Sequence, residues 1–251
     1  MKGEIIKLAL AVQILTRLPV DVGARYSAEH MAASVRYYPL VGALIGGLLG
    51  GAMCALEHAM SSETAILGAI LIGLILTGAF HEDGLADTFD GIGGGRTRAA
   101  ALDIMRDSRL GAYGALALLG CVSLKVALLT ELPGAQAPWA LLVAHTVSRL
   151  SSVLVIATGT YARDEGIGKA ISGDITRASL LIALACGLGA LLVGLLKLPV
   201  AAVAGGIAGV ALSHLLLRRW IERRIHGYTG DTLGAIQQAG ELGFYAGMLW
   251  V

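Results

Sequence analysis

Six apolar stretches between Pro39 and Leu217 constrain this chain more than any other feature: Pro39–Ala59, Thr64–Phe80, Gly111–Leu129, Trp139–Thr158, Ala178–Leu196 and Val200–Leu217. A hydrocarbon layer of about 30 Å takes about 20 helical residues to cross. A shorter run, Ile236–Val251, is a seventh candidate. In lipid every backbone N–H and C=O must be bonded internally, and none of these runs alternates as a strand does. The expected fold is therefore all-α, a polytopic integral membrane helical bundle of about six to seven transmembrane helices. Only 15% of residues are charged, against roughly 25% in soluble domains. The 35 glycines suit close helix packing in lipid. A net charge of +1 removes any bulk electrostatic case for nucleic acid. Cys54, Cys121 and Cys186 lie inside apolar runs without metal or redox spacing and read as small core residues. No repeat or internal boundary is visible, so residues 1–251 are expected to form one integral membrane domain.

Three longer polar segments, 81–110, 159–177 and 218–235, hold nearly all the loop cations: Arg96, Arg98, Arg106 and Arg109; Arg163, Lys169 and Arg177; Arg218, Arg219, Arg223 and Arg224. The connections between them carry only Lys197 at a turn. Alternating spans put the three basic segments and the N-terminal segment on one face, which the positive-inside rule makes cytoplasmic. Ile5 to Val20 is interrupted by Lys7, Gln13 and Arg17 and has no small-residue cleavage site, so it is not read as a signal peptide. Residues 1–25 are expected to form either an interfacial amphipathic helix or a short, partly embedded one.

The first basic segment opens with His81-Glu82-Asp83-Gly84-Leu85-Ala86-Asp87-Thr88-Phe89-Asp90-Gly91, four carboxylates directly after an uncharged run. On a helix Asp83, Asp87 and Asp90 stand at i, i+4 and i+7 and share a face. Like charges stacked in this way repel, and a divalent cation with oxygen ligands relieves them. Further on, Asp103-Ile104-Met105-Arg106-Asp107-Ser108-Arg109 interleaves carboxylates with arginines. Carboxylates hold Mg²⁺, Mg²⁺ neutralises diphosphate oxygens, and guanidinium forks take the remaining oxygens. Gly93-Gly94-Gly95 before Arg96 permits close backbone approach to a ligand, although the P-loop pattern is missing.

Each feature has a plainer reading. The segment could be a solvated loop whose carboxylates pair with its own arginines. Asp103 could pair with Arg106, and the glycines could be a joint. Asp231, in Gly230-Asp231-Thr232-Leu233-Gly234-Ala235, could cap the last helix, and Gly166-Ile167-Gly168-Lys169 describes many loops. Lys125, His145, Arg149 and His214 fall inside apolar runs. His145 and Arg149, at i and i+4, either line a substrate cavity or pair internally. Lys125 is read as paired or snorkelling, and His214 as an interhelical hydrogen-bonding group. No carboxylate is found in mid-span, which weighs against a transporter, whose polar groups gather at the membrane midplane.

The HEDGLADTFDG stretch, together with Met105-Arg106-Asp107-Ser108-Arg109-Leu110-Gly111-Ala112-Tyr113-Gly114 and Gly230-Asp231-Thr232-Leu233-Gly234-Ala235, resembles the cobalamin synthase family, the adenosylcobinamide-GDP ribazoletransferases. Leu15-Thr16-Arg17-Leu18-Pro19 and Tyr38-Pro39-Leu40-Val41-Gly42 look like the same family, so the likeness runs in order from near residue 14 to about 240. Glu82 departs from the family pattern. The resemblance implies a bacterial inner-membrane enzyme needing Mg²⁺ and acting late in cobalamin (vitamin B12) biosynthesis. It would join adenosylcobinamide-GDP to α-ribazole or its 5′-phosphate and release GMP.

On this reading Glu82, Asp83, Asp87, Asp90 and Asp107 are candidate metal ligands. Arg106 and Arg109 are candidates to stabilise the leaving group, and His81 or a carboxylate to accept the hydroxyl proton. Arg96, Arg98, Asp103, Ser108, Asp231 and Thr232 are candidate substrate-binding residues. Phosphoryl transfer asks mainly for positioning and charge neutralisation. The partners are the two small molecules and membrane lipid, with no nucleic acid and with room for a homo-oligomer. The alternatives are a CDP-alcohol-type phosphotransferase acting on lipid, whose full motif is missing because Asp87 stands where its arginine would be, and a membrane transporter.

Overall fold

The computed structural model describes residues 2–133, 135–164, 169, 171 and 175–250. Among these residues the chain is helical, with no strand beyond an isolated bridge between Tyr161 and Tyr228. The stretch Gly166-Ile167-Gly168 lies outside the described residues. The helices are α1 (Lys2–Leu15), α2 (Ala28–Ser34), α3 (Tyr38–Leu56), α4 (Ser62–Thr77), α5 (Phe80–Gly94) and α6 (Arg98–Ile104). Then come α7 (Ala112–Glu131), α8 (Gln136–Thr158), α9 (Arg177–Lys197), α10 (Val200–Ile225) and α11 (Gly230–Leu249).

Five helical stretches are long and apolar enough to cross a membrane: 28–56, α7, α8, α9 and α10. The count is six if α4 and α5, bent by 89° at their junction, form one span. Their outward faces are leucine-rich, as at Leu116 and Leu119 of α7, Leu188 and Leu196 of α9, and Leu215 and Leu216 of α10. That outward apolar surface is the one a lipid solvent requires. α1 buries Leu10, Ala11 and Leu15 and packs on α2 and α3, so the N-terminal segment is part of the bundle.

Backbone contact at glycines sets the close pairs. On α3, Gly42, Gly46 and Gly50 share a face, and a Cβ at Gly46 or Gly50 would come within 2.5 Å of Leu141 O or 2.7 Å of Pro138 O on α8. Small-xxx-small faces let membrane helices meet backbone to backbone. Gly209 of α10 and Gly243 of α11 are matched in the same way.

The bend after α4 redirects the chain. The uncharged run predicts one helix through Phe80, but α4 stops at Thr77, and Gly78 and Ala79 both take left-handed φ values, 66° and 55°. That conformation strains any residue with a Cβ, and here Ala79 carries it. Arg17 fills the inside of the corner, its backbone N–H donating to Leu76 O at 2.7 Å. The stretch 81–110 is thus largely helical: α5 starts afresh, nearly perpendicular to α4, and α6 follows.

α11 is the central helix, in contact with α5, α7, α8 and α10 and buried along most of its length. The sequence marks Ile236–Val251 as a short seventh span. In the structure the helix starts at Gly230 and carries buried Gln237, Gln238 and Glu241.

Candidate active site

α5 presents its carboxylates in two directions, and their partners differ accordingly. Asp90 is buried, and its two oxygens accept the backbone N–H groups of Gly111 at 2.7 Å and Gly114 at 2.8 Å, which start α7. A helix N-terminus offers unpaired donors and positive dipole, so a carboxylate there acts as a cap from another helix. Glu82 turns into the bundle, where it accepts from Gln238 at 2.9 Å and stands 4.0 Å from Lys125 Nζ. These two carboxylates fasten α5 to α7 and α11.

Asp83 and Asp87 are left facing the basic end of the bundle. Gly84 of α5 lies against Asp231 of α11, and Gly234 lies against His81, close enough that side chains there would collide. That glycine crossing brings Asp231 beside Asp83 and Asp87. The helix cap at this point is Thr229, which accepts from Thr232 N, while the Thr232 hydroxyl accepts from Thr229 N at 2.8 Å. Asp231 is therefore not the cap and is free to face the site. Thr232 is fully buried, and its hydroxyl is used in the cap.

A cavity of about 230 Å³ opens beside the crossing, with His81, Asp83, Arg149, Ser152, Arg163 and Asp231 as its polar wall. Ile14, Leu15, Phe80, Ile156 and Leu233 supply apolar wall. Asp87 and Asp231 both lie outside the five span-length helices. Burial pushes the Asp87 carboxyl up to about 7, reinforced by the negative charges of Asp83 and Asp231 and opposed by Arg163. Burial also raises Asp231, with Arg163 and the Thr229 hydroxyl pulling the other way. Carboxylates pushed up by burial and by one another mark a place where negative charge is under-compensated.

The remaining sequence candidates are placed as follows. Asp107 is held to about 2 by hydrogen bonds from Arg109, with which it forms an ion pair in the α6–α7 connection. Its partner is thus Arg109, which is itself exposed. Arg106 is exposed and acts electrostatically on Tyr161 at the cavity wall. Arg98 is a clasp: Nε donates to Ile225 O at 2.9 Å and Nη2 to Ala162 O at 2.8 Å. The Arg96 carbonyl accepts from Arg224 at 3.1 Å. These bonds draw the three basic segments together at one end. Asp103 and Ser108 are exposed. His81 is buried at 5% exposure, with its ring edge-on to Phe80.

The expectation that no carboxylate lies in mid-span is overturned by Glu241. It is fully buried in α11, with Lys125 Nζ at 2.6 Å, His145 Nδ1 at 2.9 Å and Arg149 Nη1 at 3.5 Å. Sequence alone hid this because its cations come from α7 and α8. Lys125 is thus paired internally, and His214 meets Ser151 at 2.7 Å between α10 and α8. Arg149 belongs to this network and also lines the cavity. Arg163, whose side chain is only 13% exposed, is the site residue that sequence reasoning missed: it appears there only as one loop cation among many.

Among the described residues no three His, Cys, Asp or Glu side chains are gathered as a ready-made metal cage. The donors at the crossing nevertheless suit a hard cation, being carboxylate oxygens alone, and Asp87 carries the signature of uncompensated charge. Mg²⁺ usually takes one or two carboxylates and completes its shell with water and substrate phosphate. Asp83 and Asp87, on successive turns of α5, are the kind and number of donors that requirement asks for.

A family model described as cobalamin-5-phosphate synthase matches residues 7–249. A protein of Leptothrix cholodnii named adenosylcobinamide-GDP ribazoletransferase is 43% identical, covering 96% of this chain and 93% of its own length. Proteins of the same name from Shewanella piezotolerans and Shewanella baltica are 40% and 41% identical, covering 96% and 99% of this chain and 94% and 95% of theirs. No solved structure matches.

Proposed function

The chain belongs to the cobalamin-5-phosphate synthase family, and from that premise and the site we propose that it is a Mg²⁺-dependent membrane transferase joining adenosylcobinamide-GDP to α-ribazole or its 5′-phosphate. The observation that carries this reading is the Arg163–Asp231 pair facing Asp83 on the wall of a largely apolar cavity, with Asp87 one turn along α5 and electrostatically coupled to both aspartates. Such a site offers oxygen ligands for a cation, a guanidinium for a phosphoryl group, and a water-poor compartment for an organic alcohol.

The reaction is an in-line displacement. The alcohol oxygen of α-ribazole bonds to the phosphorus that carries the cobinamide, the anhydride P–O bond to the other phosphorus breaks, and GMP leaves with the bridging oxygen. Bound at Asp83 and Asp87, Mg²⁺ would neutralise the diphosphate oxygens. Asp231 is the carboxylate placed to take the hydroxyl proton: it lines the cavity, lies across from α5, and is raised toward the range in which a carboxylate works as a base. Arg106, exposed at the same end and within electrostatic reach of Tyr161, is the arginine assigned to the charge on the departing GMP. Asp90 and Glu82 keep α5 in register while Asp83 and Asp87 stay open to the site.

The basic segments at this end support, by the positive-inside rule, a site on the cytoplasmic face of the inner membrane. Purified protein in detergent, given adenosylcobinamide-GDP and α-ribazole or its 5′-phosphate, should release GMP with Mg²⁺ and none in EDTA. No GMP with both substrates and Mg²⁺ present would overturn the assignment.

A further inference from the structure

Arg163 has an arrangement that an ordinary ion pair does not need. Its Nη2 pairs with Asp231 Oδ2 at 2.8 Å, while among the described residues its Nε is buried without an acceptor. Buried guanidinium donors without acceptors are rare, because their lost hydration is not replaced. The backbone just before Arg163 is pinned from two sides. Ala162 N–H donates to Tyr228 O at 2.8 Å, and Ala162 O accepts from Arg98 Nη2 at 2.8 Å. Tyr161 adds an edge-on contact with the Tyr228 ring at 5.5 Å. A guanidinium with an unused Nε donor is thus held, by a clasped segment, against a cavity.

The other buried guanidinium on that wall, Arg149, also has an unpartnered Nε, but it is anchored inside the bundle. Arg149 Nη1 is used by His145 and Glu241. Most of the remaining wall is apolar, and Asp83 and Asp231 would repel an anion unless a cation or Arg163 met it. The planar guanidinium fork matches two oxygens of one tetrahedral phosphoryl group, and its unused Nε is one arm of that fork.

We propose that Arg163 is a specificity-determining residue that binds a phosphoryl group of a substrate, using its Asp231 contact to hold the guanidinium in the cavity. This rests on the transferase reading above and adds to it the residue that recognises phosphate. Two sources share the chemistry: a 5′-phosphate on the alcohol substrate, and the diphosphate of the nucleotide substrate.

The test uses the full-length protein with R163Q and R163K, each first shown to be monodisperse in detergent and to melt as the wild type does. KM and kcat are measured with α-ribazole 5′-phosphate, with α-ribazole and with adenosylcobinamide-GDP. R163Q should raise KM by about tenfold or more for a phosphate-bearing substrate, by more than it lowers kcat, with R163K intermediate. A rise confined to α-ribazole 5′-phosphate assigns the alcohol's phosphate, and a rise confined to adenosylcobinamide-GDP assigns the diphosphate. Unchanged KM for both, an equal rise for unphosphorylated α-ribazole, or a fall in kcat alone overturns the proposal. If the wild type releases no GMP, the transferase reading has failed by itself. Calorimetry with α-ribazole 5′-phosphate and GDP then decides: binding to wild type that R163Q loses sustains Arg163, and its absence from wild type removes it.

Discussion

The carboxylate of Asp90 and the backbone N–H of Gly114 meet at 2.8 Å, and that bond makes Asp90 part of the first turn of α7. Asp90 shares a helix face with Asp83 and Asp87, so spacing alone would give all three one job. The two N–H donors at its oxygens divide them instead: Asp90 fixes where α5 lies, and Asp83 and Asp87 are left for the proposed chemistry.

D90A leaves two helix-terminal N–H groups without their charged acceptor, a loss of about 2–3 kcal/mol. Gly114→Ala should act alike, since its Cβ would overlap the Asp90 carboxylate and approach Ala86 O at 2.9 Å. Thermal melts in detergent should show both variants falling well below D83N, whose side chain is exposed. A D90A protein that melts with the wild type would return Asp90 to the list of plain metal ligands.

Lys125 and Glu241 provide a second test, one of packing. K125M removes the cation 2.6 Å from Glu241 inside the bundle and should cost about 3–5 kcal/mol. K125M/E241Q removes one charge of each sign, leaving Glu82 and Arg149 to balance, so the double variant should lose less than the two single variants summed. Strict additivity in melting experiments would mean that the pair is not coupled.

These tests separate what the sequence discloses from what it hides. The long apolar runs disclose the bundle because about 20 residues of hydrophobic helix have few other homes. The corner at Gly78 and Ala79 is hidden because a left-handed alanine has no sequence signature and the apolar run continues through it. Glu241 is hidden because its compensating cations lie on other helices. The motif names Asp83, Asp87 and Asp231, but their meeting depends on Gly84 and Gly234 allowing α5 and α11 to touch. Arg163 is hidden most completely, since the Tyr161–Tyr228 bridge, the Arg98 clasp and its own pair with Asp231, all distant in sequence, hold its segment beside the site.

As the proposed proton acceptor, Asp231 should matter to turnover more than to metal binding. D231N should lower kcat by about 10²–10⁴-fold, the usual range for losing a general base. Mg²⁺ affinity should change far less than in D83N. Single-turnover GMP release and calorimetric Mg²⁺ titration distinguish the two. Equal loss of metal affinity in D231N and D83N would make Asp231 a ligand and leave the base unassigned.

Asp87 ties acidity to metal. Its carboxyl is raised from an ordinary 3.8 to about 7 by burial and by the charges of Asp83 and Asp231. Below the ordinary value it is protonated in both the folded and the unfolded chain and contributes nothing. As pH rises from there, the unfolded chain ionises first, so the folded state loses stability until the loss is complete above about 7. Metal-free protein in EDTA should therefore melt lower at pH 8 than at pH 5.5, and Mg²⁺ should close the gap at pH 8. At pH 5.5 protons compete for Asp87, and Mg²⁺ should bind more weakly by about tenfold per unit below 7. D87N removes this titrating group, so its melting temperature in EDTA should fall less than the wild type's between pH 5.5 and pH 8 and should fail to rise with Mg²⁺. A wild-type melting temperature that climbs with pH in EDTA would mean that Asp87 ionises freely, and the cation would lose its reason to bind there.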